Sequence, residues 1–178
     1  MNDNNDKTYG VLLTDAQEIK IIEIRPNEEV FDCGRRAIGC EWIELVEPDT
    51  LSDQNLVMMI DEEAKLKAGG KYVNCIASFT YESQIHGDMI IGNAVIVKAG
   101  EEELKMLSQE EAIEIASQMG AIRGEAIQTI ASAINPKPSI IDTLHPKEIL
   151  KTGDSLVMIT ERRDNIYAER KAPGHDSF

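Results

Sequence analysis

Aromatic side chains are nearly missing from this chain: Phe, Tyr and Trp make up 4% of its 178 residues, with a single Trp. Any core must therefore be aliphatic, drawn from the Ile, Leu, Val, Met and Ala within a hydrophobic fraction of 42%. That fraction is enough for one domain plus an extension at this length. Cysteine is scarce as well. Cys33, Cys40 and Cys75 form an odd set with no Cys-x-x-Cys spacing, which excludes a zinc site of paired ligands and points to free thiols in a reducing cytoplasm. Basic residues are few: 18 Lys and Arg stand against 32 Asp and Glu, for a net charge of −14 and a pI near 4.6. That balance argues against nonspecific binding to nucleic acid, which needs cations to displace counterions. It argues equally against attachment to an anionic membrane surface. No apolar run is long enough to span a bilayer, and the polar opening of residues 1–6 is the opposite of a signal peptide. A cytoplasmic location is expected.

The patterns that carry chemistry are missing too. There is no Gly-x-x-x-x-Gly-Lys-Ser phosphate loop, no Gly-x-Gly-x-x-Gly turn and no Gly-x-Ser-x-Gly elbow. His86, His145 and His175 stand far apart in unrelated contexts and read as surface or turn residues. No catalytic residue, resident metal or cofactor is expected.

What the chain does hold is a long apolar ribbon, Met89 to Val97, rich in β-branched residues and interrupted by Gly92-Asn93. Its composition predicts a buried central strand, with a bulge or a close backbone approach at the interruption. Other strands are expected at 18–24, 40–47 and 55–60, the last ending in Asp61-Glu62-Glu63. Val11-Leu12-Leu13 fits either an added edge strand or a short anchor. Trp42 is expected to pack against a neighbouring element, given the apolar area an indole buries. Pro26 suits the first turn of a helix and Gly39 its cap, with Val30, Cys33, Ala37 and Ile38 at helical spacing between them. Ser108-Gln-Glu-Glu111 is a capping box that opens a helix to Gly120, and Ile122 to Ile134 marks a second helix. Residues 1–10 are polar and predicted disordered, 11–107 form the core domain, 108–136 the helical pair, and 137–178 an extension with a hairpin at 155–170.

Charge is spread unevenly. From Glu41 to Ala64 there are eight acids and no Lys or Arg, whereas residues 137–178 carry seven of each sign. Glu41, Glu44, Glu47, Asp49 and Asp53 are the candidate partner-binding residues, presenting carboxylates to a basic protein. Asp61 and Glu62, with Asn74 and Asn93, are candidates for a small-ligand or nucleotide pocket. As a further alternative, Asp61 and Glu62 could serve a metal-dependent hydrolase, because paired carboxylates bind hard cations and shift each other's protonation. Adjacent side chains point apart, however, so a solvated turn that discourages edge pairing is the simpler reading of that cluster.

Several segments carry a family likeness: Ile43-Glu-Leu-Val46, Leu56 to Lys67 ending its strand in Asp-Glu, Asn74 followed by Ala77-Ser78, and Ile90 to Val97 with its Ile-x-Gly strand. In this pattern, and in the helix start at Leu107 to Glu111, the chain resembles a domain-of-unknown-function family carried by phages, plasmids and integrated elements, largely of Gram-positive bacteria. The resemblance favours a short helix within 72–81, where propensity alone would allow a strand. It implies a mobile-element accessory protein with no established reaction. The expected fold is α+β: a central mixed sheet with helices on one side, then the helical pair and the terminal hairpin. The expected function is a non-enzymatic interaction with a protein partner, such as blocking a host defence or nucleic-acid-binding factor, and a homo-oligomer stays open.

Overall fold

A computed structural model describes residues 7–67 and 72–134. The expected hairpin and the rest of the C-terminal extension lie outside the described residues. Five strands form one sheet: β1 (Tyr9–Leu13), β2 (Ile19–Glu23), β3 (Ile43–Val46), β4 (Leu56–Asp61) and β5 (Ala94–Lys98), in the order β2-β1-β5-β4-β3. All four pairings are antiparallel, not mixed as expected. Val11-Leu12-Leu13 belongs to β1, an interior strand that takes in Tyr9 and Gly10, so order begins earlier than the polar start suggests.

The helices are α1 (Val30–Ile38), α2 (Asp49–Ser52), α3 (Cys75–Thr80), α4 (Ser83–His86) and α5 (Gln109–Ile134). They cover both faces of the sheet, which corrects the one-sided packing expected. Side chains alternate along a strand, so each central strand supplies two cores. Val11, Leu13, Met58, Ile60, Ala94 and Ile96 meet Ile76, Ala77, Ala112, Ile115 and Met119 of α3 and α5 on one face. Leu12, Val57, Met59, Val95 and Val97 meet Val30, Ala37 and Ile38 of α1 on the other. This double cover is why β4 and β5 read as continuous apolar runs. Burying each such side chain contributes about 1.5–3 kcal/mol.

The ribbon from Met89 divides in two. Only Ala94–Lys98 is the central strand. Gly92, with φ +81°, redirects the chain, and Ile91 bridges to Val73 outside the main ladder. Helix α1 starts at Val30, not near Pro26, because Asn27 adopts φ +61° and Glu28 folds back to accept the Arg25 amide. Gly39 caps it as expected, at φ +79° with its amide donating to the Arg35 carbonyl. The capping box is formed reciprocally: Glu111 N–H donates to Ser108 Oγ at 3.2 Å, and Ser108 N–H to Glu111 Oε2 at 2.9 Å.

The two C-terminal helices are one. α5 runs unbroken for 26 residues, about 39 Å at 1.5 Å per residue. Gly120 lies within it on the exposed side rather than at a left-handed cap. The N-terminal part of α5 packs on the sheet, and Ile127, Ile130 and Ile134 cover Ala64, Val73, Cys75 and Ile91. The core unit therefore does not end at residue 107.

Candidate functional site

β3 is a border strand, and the acidic candidates gather around it. Glu41, Glu44, Glu47, Asp49 and Asp53 are all exposed. None of the five is ion-paired among the described residues, since Arg35, which donates to the Glu41 carbonyl, holds Asp32 with its guanidinium. Apolar surface lies among them. Leu45 is 39% exposed and Trp42 59%. Trp42 thus departs from the expected packed indole: its carbonyl accepts the Glu62 amide while the ring faces out. Phe31, on the helix that packs over β3, is exposed as well.

Backbone register completes the description of this border. In an antiparallel ladder, opposite residues alternate between exchanging both hydrogen bonds and exchanging none. Glu62 N–H donates to Trp42, one step before the Ile43 and Asp61 pair, so Glu44 bonds with Ile60 and Val46 with Met58. The amides and carbonyls of Ile43 and Leu45 consequently point away from the sheet. Among the described residues nothing pairs with them. The opposite border, β2, is defended. Glu23 pairs with Lys7 and Glu18 with Lys20, the Glu23 carbonyl accepts from Arg36, and α5 packs alongside.

The second group of candidates is differently placed. Asp61 is 4% exposed at the end of β4, and its Oδ1 accepts the Glu63 amide at 2.9 Å, a turn-forming bond. Glu62 is exposed and Glu63 pairs with Lys67, which raises the Lys67 pKa. The cavity beside Asp61 and Glu62 measures about 40 Å³, room for a few waters and too small for a nucleotide. Lys65 reaches across its mouth to Asp88. Among the described residues no three His, Cys, Asp or Glu side chains are grouped to hold a metal ion.

Asn74 and Asn93 do not join that cavity. Asn74 is fully buried at the start of α3, where its Oδ1 accepts the Ala77 amide at 3.1 Å. Its Nδ2 donates to the carbonyls of Leu13 (2.8 Å) and Gly92 (3.0 Å), tying the end of β1 to the approach to β5. Asn93 accepts the Asp15 amide and donates to the Ala37 carbonyl at the end of α1. Gln17, unsuspected from sequence, and Ser78 of the family pattern complete this buried clasp. Gln17, 3% exposed, donates to the Asp15 and Val73 carbonyls and accepts the Cys75 amide. Ser78 both accepts from Ile90 N–H and donates to its carbonyl. No local signal marks Gln17, because its partner amide lies 58 residues away. The Asn-x-x-Ala-Ser and Ile-x-Gly pattern is thus a set of backbone anchors, and its polar groups are spent on structure. His86 is a surface residue, the last of α4, with its ring nitrogens bonded to the Tyr81 carbonyl and the Asp88 amide.

No helix among the described residues is long and apolar enough to cross a membrane. The chain belongs to the family described as a domain of unknown function (DUF3846), which matches residues 8–120 and so takes in both the clasp and the β3 border. Searches among curated proteins and among solved structures give no match.

Proposed function

We propose that this member of the family is a non-enzymatic interaction protein whose acidic β3 border binds a basic surface of a protein partner. One observation carries the reading: Glu41, Glu44, Glu47, Asp49 and Asp53 are exposed, without an ion-pair partner among the described residues, around an outward Trp42 and Leu45. Interfaces are enriched in aromatic anchors, and complementary charge steers encounter and register. Unpaired carboxylates on a chain of net charge −14 favour a cationic partner such as a nucleic-acid-binding protein. This supports an accessory role in which the protein occupies the basic face of a host defence or nucleic-acid-binding factor.

The test compares the wild-type protein with a Glu44→Lys, Glu47→Lys variant as baits for bacterial lysate over a range of salt. A basic protein retained by the wild type at low salt, released as salt rises and lost with the variant supports the proposal. Equal retention by both baits, or none by either, overturns it.

A further inference from the structure

The border of β3 offers more than charge. Ile43 and Leu45, alternate residues of β3, present amides and carbonyls that nothing among the described residues pairs with, at the rim of a five-stranded sheet. An unguarded rim is a template for another strand, and proteins usually blunt one with charge, a bulge or a covering element. β2 shows how this chain blunts a rim: ion pairs, an arginine on a carbonyl and a helix alongside. β3 has carboxylates of one sign only, which repel an acidic strand and attract a basic one.

We propose that the outer edge of β3 is a strand-addition site for an extended segment in which basic and apolar residues alternate. This rests on the acidic border reading and specifies the partner's form. Alternation follows from the pleat, since an added strand sets its side chains beside those of β3 on the same two faces. Glu44 lies on one face with Trp42, so the incoming residues there are Lys or Arg, their stems covering the indole. Ile43 and the half-exposed Leu45 lie on the other face, so the residues there are aliphatic. Main-chain bonds to Ile43 and Leu45 supply affinity and the alternate side chains supply specificity. A second copy of the chain fits poorly. It would bring one set of carboxylates against another.

The chain's single Trp makes the test direct, because Trp42 stands beside the site and its emission reports occupancy. The full chain is titrated at low salt with a short peptide alternating Lys and Val, and with the same peptide N-methylated at every amide that would face β3. Saturable change in Trp42 emission with the first peptide, weakened at least about tenfold by methylation, is expected. Leu45→Pro removes an outward donor without touching the bonds between β3 and β4, so it should weaken binding similarly while leaving the melting temperature close to wild type. Glu44→Lys should abolish the response.

Equal binding of the methylated and unmodified peptides overturns strand addition and leaves the acidic border reading standing. No response to either peptide also overturns it, whatever the lysate experiment gives. A dimer dispersed by the peptide would make a second copy the occupant. Tighter peptide binding by a Val157→Asp variant would assign the edge to Leu156-Val-Met-Ile159, which resembles Leu56-Val-Met-Met59 of β4 in sequence. Either result overturns the proposed partner.

Discussion

The clasp and the β3 border are both polar, yet their polar groups face opposite ways. Gln17, Asn74 and Ser78 are buried, and the hydrogen bonds of their side chains end on backbone. The carboxylates around β3 are exposed and find no cation among the described residues. An amide inside has only the chain to bond, and leaving it unsatisfied is costly. A carboxylate outside keeps its water and is free to be recognised. The lesson is that here the residues carrying the family likeness at 74–78 and 90–92 hold the chain together, with their polar groups spent on backbone.

The comparison breaks most readily at Asn74. Asn74→Ala strands the Leu13 and Gly92 carbonyls and the Ala77 amide, so it should lower unfolding free energy by about 3 kcal/mol or more. Urea unfolding would measure this, and a cost under about 1 kcal/mol would reduce the clasp to a packing detail.

A smaller effect separates paired from unpaired carboxylates. The Arg36 guanidinium, holding Glu28 in a two-pronged pair, brings the Glu28 pKa down to about 2 against the opposition of burial. A depressed folded-state pKa contributes stability that is complete above the ordinary value of 4.5 and lost as pH falls from there through 2. Arg36→Met should cost about 1 kcal/mol at pH 7, and the difference from wild type should vanish near pH 2 in unfolding curves. A difference unchanged from pH 7 to pH 2 would mean that lost packing, not charge, is responsible.

Gly120→Ala tests the continuous helix. The site is exposed with open space where a Cβ would stand, so alanine should raise stability by about 0.5–1 kcal/mol. Destabilisation in a thermal melt would favour a left-handed cap and two helices. Smallest of all, Glu44→Gln with Glu47→Gln should move stability by no more than about 0.5 kcal/mol while weakening partner binding. A large stability loss would place these acids with the clasp.

Legibility in the sequence followed the range of the interaction. Gly39, the Ser108–Glu111 box and the face of α1 at Val30, Ala37 and Ile38 were readable because their partners lie within a turn or two. α3 was placed by family likeness rather than by pattern. Gly120 misled because a helix tolerates glycine when packing on both sides of it is sufficient, as Met119 and Ala126 provide. The cover on both faces, the antiparallel pairing and the exposed Trp42 depend on which strands become neighbours. Gln17 had no local mark at all. The acidic stretch was legible as composition, but the unpaired rim beneath it required the register of β3 on β4.

The strand order also has a consequence for how the molecule comes into being. β1 with β2, and β3 with β4, are two hairpins made from nearby chain, and β5 lies between them. During synthesis each half must wait with a sticky flank until β5 leaves the ribosome and fuses them. Val95 and Ile96 therefore act as a keystone, and chains interrupted before residue 94 should aggregate rather than persist as half-sheets.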